Sequence, residues 1–329
     1  MLKSLMVAAL ALATPLSLAP ISAAHAADGD WPKSQITLLV PFTAGGTADI
    51  FARMVGDHLG KVTGQVIVPE NIGGGGGTLA LGRLARSEAD GTTVALASTS
   101  NLSIHPTLLK DRIQYQTLRD LAPITQISLV PNLLVVNPER IKARTVQELI
   151  DHLKANPEKI TFGSSGVGTT QHLAGELFMQ RTGTKMTHVA YKGSSQMMPD
   201  LIAGQIDLAF DNAPLLWPHI KSGKLIALGT ATAERLTVAP ELPAIAETVP
   251  GFKAVAWHGF LAPVKTPKAL VDAYAKTINE FMQRPETQKR FDELGVLPMH
   301  TSPEAFAKLI ADEAAQWSKV IETAGVKPE

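Results

Sequence analysis

Short apolar runs rich in β-branched residues alternate along the chain with stretches whose apolar positions recur at helical spacing. Ile36-Thr37-Leu38-Leu39-Val40 reads as a strand buried on both faces, and Thr47 to Leu59 follows with apolar residues at Ile50, Met54 and Leu59. Val66 to Val68 predicts a second strand, Thr78 to Arg86 a helix, and Thr93 to Ala97 a third strand. This βαβαβ order implies a parallel sheet covered by helices. A second cycle runs through strands at 160–162, 188–190, 208–210 and 226–229, with helices at 170–182 and 195–203. The C-terminal stretch is helical by period over 267–282, 285–294 and 303–324, with Pro267, Pro285 and Pro303 where helix starts tolerate them.

Two long apolar runs without helical period, Ile124 to Asn137 and Ala254 to Pro263, separate the cycles and predict two crossings between lobes. The expected fold class is therefore α/β, with two lobes and a ligand cleft between them. Lobe one comprises 27–125 plus 256–329, and lobe two is the inserted segment 126–255.

The N-terminus adds a compartment. Lys3 precedes an apolar run from Leu5 to Ile21, broken by Pro15 and Pro20, and Ala24-His25-Ala26 supplies the small residues of a cleavage site. Residues 1–26 are expected to be a signal peptide, the mature chain beginning at Ala27 in the periplasm. Lys+Arg and Asp+Glu are both 30, a balance that argues against nucleic acid or an anionic membrane as partner. The chain has no cysteine, which excludes disulfides, thiolate metal ligands and a thiol nucleophile.

Two loops carry the candidate chemistry. Phe42-Thr43-Ala44-Gly45-Gly46-Thr47-Ala48-Asp49 leads from the first strand into a helix, so several backbone N–H groups and the helix dipole point at one place, suited to an anion. A tight turn capped by Thr47 explains the same residues equally well. Ser164-Ser165-Gly166-Val167-Gly168-Thr169 occupies the matching place in the second cycle, with hydroxyls beside free amides; an ordinary cap by Thr169 or Thr170 is its alternative. Facing one another, the two loops would grip an anionic solute. Asn71 to Thr78, with five glycines, follows the second strand rather than the first and has no acidic ribose partner at suitable spacing, so it is expected at the rim of the cleft. Ser98, Tyr191 and Asp211 stand at strand ends where open α/β sheets bind ligands, and His172 lies one turn into the helix after the second loop.

Enzyme readings find less support. Gly163-Ser164-Ser165-Gly166-Val167 misses the final glycine of a nucleophile elbow, and the histidines are scattered without metal-ligand spacing. No catalytic residue, metal or cofactor is expected. A secreted hydrolase using Ser164 or Ser165, or a sensor feeding a membrane kinase, are the alternatives.

Taken together, these segments resemble the substrate-binding proteins of tripartite tricarboxylate transporters, the Bug family. The resemblance spans the mature chain through Trp31-Pro32, Val40 to Gly46 with Asp49 and Ala52-Arg53, Asn71 to Gly77, Ala89 to Thr92, and Phe162 to Thr169 with His172-Leu173. It continues through Tyr191-Lys192-Gly193, Asp200 to Asp207 and Trp257 to Pro263. It departs from the family at Thr43, Ala190 and Ser195-Gln196-Met197-Met198. The resemblance implies a type II periplasmic binding fold that closes by hinge motion on a small carboxylate held by main-chain amides. It further implies a monomeric receptor serving membrane transporter subunits. The expected ligand-binding set is Phe42, Thr43, Ala44, Gly45, Gly46, Asp49, Ser98, Ser164, Ser165, Gly168, Thr169, His172, Tyr191 and Asp211.

Overall fold

A computed structural model describes residues 31–324. The signal peptide expected at 1–26 lies outside the described residues. Lobe one begins with β1 (Ile36–Val40), α1 (Thr47–Thr63), β2 (Ile67–Asn71), α2 (Thr78–Leu84) and β3 (Thr93–Ser98). A wide helical turn at Ser100–Ile104 then leads into two short helices, α3 (His105–Leu109) and α4 (Thr117–Asp120). β4 (Leu121–Val136) enters lobe two, which holds α5 (Val146–Ala155), β5 (Thr161–Ser164), α6 (Thr170–Thr182), β6 (Thr187–Ala190) and α7 (Ser194–Ile202). There β7 (Leu208–Asn212), α8 (Ala213–Lys221) and β8 (Ile226–Thr230) follow. β9 (Val255–Pro263) returns to lobe one, completed by α9 (Lys268–Met282), α10 (Pro285–Glu293), β10 (Leu297–Pro298) and α11 (Pro303–Ala324).

The strand order β2-β1-β3-β9-β4-β7-β5-β6 makes β4 the shared element. Its residues 121–131 pair antiparallel with β9, and its residues 132–136 pair with β7 and β8. β1 pairs in parallel with β2 and β3, as β5 does with β6 and β7. Asn132 Nδ2 donates to the Ala254 carbonyl (3.0 Å), tying the two crossing segments where β4 changes partner.

Alternation along the strands fills a core on each side of each half-sheet. Leu38 and Val40 of β1 pack with Phe51 and Val55 of α1 and Tyr274 of α9, whereas Leu39 turns to Leu81, Phe306 and Ile310. In lobe two, Leu134 and Val136 of β4 meet Leu149 and Phe178, while Leu133 and Val135 meet Met197, Leu201 and Leu216. Both half-sheets therefore have helices on both faces, and the parallel strands β1, β3, β5 and β7 end at one crevice.

Candidate functional site

A small, partly open cavity of about 30 Å³, room for one or two water molecules, lies where those strand ends meet. Lobe one contributes Phe42, Gly46, Thr47 and Ala48 after β1, Ser98 at the end of β3 and Ser100 just beyond it, and Ala256 and His258 from β9. Lobe two contributes Ser165, Thr170, Gln171, Ser194 and Asn212. The two lobes touch around it. Thr43 Oγ1 lies 2.7 Å from Ser195 Oγ, and Thr170 N–H donates to Ser100 Oγ at 3.2 Å. His105, kept neutral because burial lowers its pKa to about 4, donates from Nε2 to the Val167 carbonyl at 2.8 Å.

The two loops differ at their helix starts. In α1 the N-cap position is Gly46, which offers no side-chain cap, and Thr47 stands inside the helix with its buried hydroxyl unpartnered. The first-turn amides of α1 therefore keep their donor capacity, at the positive end of a helix of 17 residues. The first turn is held from behind. Asp49 Oδ2 accepts from Gly45 N–H (2.9 Å) and Arg53 Nε (3.0 Å), and Asp49 Oδ1 accepts from Asn71 Nδ2 (3.0 Å). Burial works against the Asp49 carboxylate, but Arg53, Gly45 and Asn71 outweigh it and hold its pKa below the ordinary value.

In α6, by contrast, Thr169 Oγ1 accepts from His172 N–H and donates to the Gly166 carbonyl (2.7 Å). Ser164 is fully buried; its hydroxyl lies 2.7 Å from His188 Nε2 and bonds Gly166 as well. Gly168 N–H donates to His172 Nδ1 (3.1 Å), and the His172 ring stacks on His188 with centroids 4.0 Å apart. The second loop spends most of its polar groups on its own shape.

Of the residues expected at the ligand, Phe42, Gly46, Ser98 and Ser165 line the cavity. Thr43 bridges the lobes, and Asp49, Ser164, Thr169 and His172 shape the loops. Ala44, Gly45 and Gly168 belong to the loop backbone, and the Tyr191 hydroxyl donates to Asp200 Oδ2 (2.7 Å). Asp211 sits behind the lobe-two wall, bonded to Ser194 and Gln171. Sequence reasoning passed over Ala256 and His258, which an apolar strand run does not distinguish from ordinary core. The glycine run is half-buried at Gly73 and Gly74 and exposed at Gly75, but its end is packed. Gly76 and Gly77 are buried, and a Cβ on Gly76 (φ +58°) would come within 2.1 Å of His105. Only a bare α-carbon fits there.

Three buried polar atoms of cavity-lining residues have no partner: Thr47 Oγ1, Ser98 Oγ and Asn212 Oδ1. Native interiors rarely leave such groups unpaired, so their convergence makes this cavity the candidate site. Among the described residues no group of three His, Cys, Asp or Glu side chains is placed to hold a metal, and no helix is long and apolar enough to cross a membrane.

Comparison with known proteins gives the same architecture a family. Residues 51–326 match the profile of the tripartite tricarboxylate transporter family receptor. Protein BugT of Bordetella pertussis is 34% identical over 328 residues, covering 99% of both chains. The structure of R. palustris Rpa4515 with adipate superposes with a TM-score of 0.88 at 35% identity, over 91% of this chain and 100% of that one. MatC from Rhodopseudomonas palustris with bound malate gives 0.83 at 26% identity, over 88% and 100% of the two chains. The two-lobed binding-protein fold and the family match agree: this chain belongs to the tripartite tricarboxylate transporter receptor family, the TctC or Bug-type solute-binding proteins.

Proposed function

We propose that the protein is an exported periplasmic receptor that captures a small carboxylate between its lobes for the membrane subunits of a tripartite tricarboxylate-type transporter. It acts as a monomer and leaves the ligand chemically unchanged. The observation that carries this reading is the uncapped N-terminus of α1, where free amides and the unpartnered Thr47 and Ser98 hydroxyls converge on the cavity. Every donor there suits a carboxylate oxygen, and several amides together match its lone pairs. The adipate and malate in the two relatives support the same ligand class. Lobe closure turns on β4 and β9 near Asn132 and Ala254, whose bond joins the two crossing segments.

The Ser164–His188 contact is the one feature that favours hydrolysis. The Ser164 hydroxyl is fully buried, committed to Gly166 as well, and absent from the cavity lining, so it does not face a bound ligand. Thermal-shift screening against a panel of mono-, di- and tricarboxylates tests the proposal. A ligand present at 100 times its Kd adds about 2.7 kcal/mol of stability, and a binder returns it unaltered. A panel without a single shift, or turnover of ester substrates, would remove the reading.

A further inference from the structure

A larger groove lies behind the hinge. Its volume is about 530 Å³, within the range of small-molecule pockets. Val255 of β9 lines it, whereas Ala256 and His258 of the same strand line the cleft, so alternation places groove and cleft on opposite faces of β9. Leu129 of β4 shares its floor, Leu236 and Val238 belong to its lobe-two wall, and Val296 and Leu297 to its lobe-one wall. Val238 and Leu297 are half-exposed, large apolar side chains left in water on facing walls. Beside the groove the lobes touch: a Cβ on Gly295 of lobe one would lie 2.3 Å from Trp217 Nε1 of lobe two. The charges of the lining are unequal. Arg235 is balanced by Glu247 (2.8 Å), whereas Glu234 of lobe two, Asp292 of lobe one and Lys253 have no ion-pair partner among the described residues.

We propose that this groove is a second ligand site, for an amphipathic organic cation, whose occupancy holds the cleft closed. An apolar body laid over Leu129, Val255, Val238 and Leu297 takes those side chains out of water. Two unpaired carboxylates, one on each wall, outweigh the single ammonium of Lys253, so a positive head group is favoured over a neutral or negative one. An anion would gain Lys253 and meet Glu234 and Asp292. The coupling follows from placement. The lobes turn about β4 and β9, with the cleft on one face and the groove on the other, so opening the cleft draws the groove walls together. An occupant between those walls opposes that movement. The coupling rests on the hinge proposed above; the binding does not.

Calorimetric titration of the mature chain with octylamine, octanol and octanoate tests the site, since the three share one apolar body and differ in head group. Gly46→Val serves as the host, so that octanoate does not enter the cleft. Octylamine is expected to bind tightest, one per chain, and octanoate weakest. Leu297→Ser, at a half-exposed position, should weaken octylamine and octanol alike by about fivefold, the worth of half a leucine's burial. Glu234→Gln combined with Asp292→Asn should weaken octylamine alone, by about two- to fivefold, as loss of exposed ion pairs does. No octylamine binding, or binding unchanged by Leu297→Ser, overturns the site. Octanol or octanoate binding as tightly as octylamine, or octylamine binding unchanged by the double variant, overturns the ligand class. Hydrogen exchange at Thr170 in the parent chain tests the coupling. Its N–H, at the first position of α6, has no partner within the helix and bonds Ser100 Oγ across the cleft (3.2 Å), so its protection requires closed lobes. Saturating octylamine is expected to slow this exchange, and an unchanged or faster rate overturns the coupling. Carboxylate capture is untouched by these outcomes and stands or falls by the thermal-shift panel.

Discussion

Replacing Asp211 with asparagine separates the requirements of the site from those of the fold. The carboxyl group is fully buried, and burial pushes its pKa up to about 6 despite three hydrogen bonds that favour the charged form. In the unfolded chain it returns to an ordinary value near 3.8. A raised carboxyl pKa means that folding favours the proton. The ionised group therefore costs stability above pH 6, and the cost disappears as pH falls through 6 towards 4. Two pKa units correspond to about 3 kcal/mol at full ionisation. Between pH 8 and pH 5 roughly half of that is relieved, about 1.5 kcal/mol. Asparagine keeps the shape and does not titrate, so the Tm of the variant minus that of the parent should rise from pH 5 to pH 8 by roughly 2–3 °C. Scanning calorimetry of both proteins at matched ionic strength measures this. A flat difference across that range would refute a buried, titrating Asp211, and a falling difference would reverse the sign of the argument.

Other expectations follow from the same geometry. Thr47→Val removes a buried hydroxyl that has no partner, so it should raise the Tm of the ligand-free protein, by about 1 kcal/mol equivalent, while weakening carboxylate binding by calorimetry. Gly46→Val fills the approach to the α1 amides from a backbone conformation (φ −81°, ψ 173°) that valine adopts readily; it should leave Tm within a few degrees and abolish binding in the same titration. Thr169→Ala loses the α6 cap and its bond to the Gly166 carbonyl, which should lower stability by about 1–2 kcal/mol in urea unfolding. Gly76→Ala should be worse than a strained glycine replacement alone, because the new methyl meets the His105 ring that bonds Val167 across the lobes; reduced affinity with a lowered Tm is the expected result.

Much of the architecture was legible because the elements obey simple periods. β1, α1, α6 and α11 follow directly from β-branched runs and helical spacing, and the long runs taken as crossings are β4 and β9. Helix α5 was missed although its signal is present: Thr145 caps it, its Oγ1 accepting from Glu148 N–H (3.1 Å), while Glu148 accepts from the N–H of Arg144, one residue before the cap (2.7 Å). α8 carries Pro214 and Pro218, which hid it. The site was legible as two loops but not as two unlike loops. That α6 is capped by its own threonine and α1 is not depends on a one-residue difference in where each helix starts. His258 and Ala256 enter the cavity only because β9 pairs between β3 and β4, a tertiary fact without a local signal.

The central claim is that a ligand carboxylate sits on the open N-terminus of α1. A crystal structure of the protein with its tightest-binding carboxylate measures this directly. The account predicts carboxylate oxygens within hydrogen-bond distance of the first-turn amides of α1 and of the Thr47 or Ser98 hydroxyl, with both lobes touching the ligand. A well-ordered carboxylate held elsewhere, with Thr47 and Ser98 still unpartnered, would contradict it.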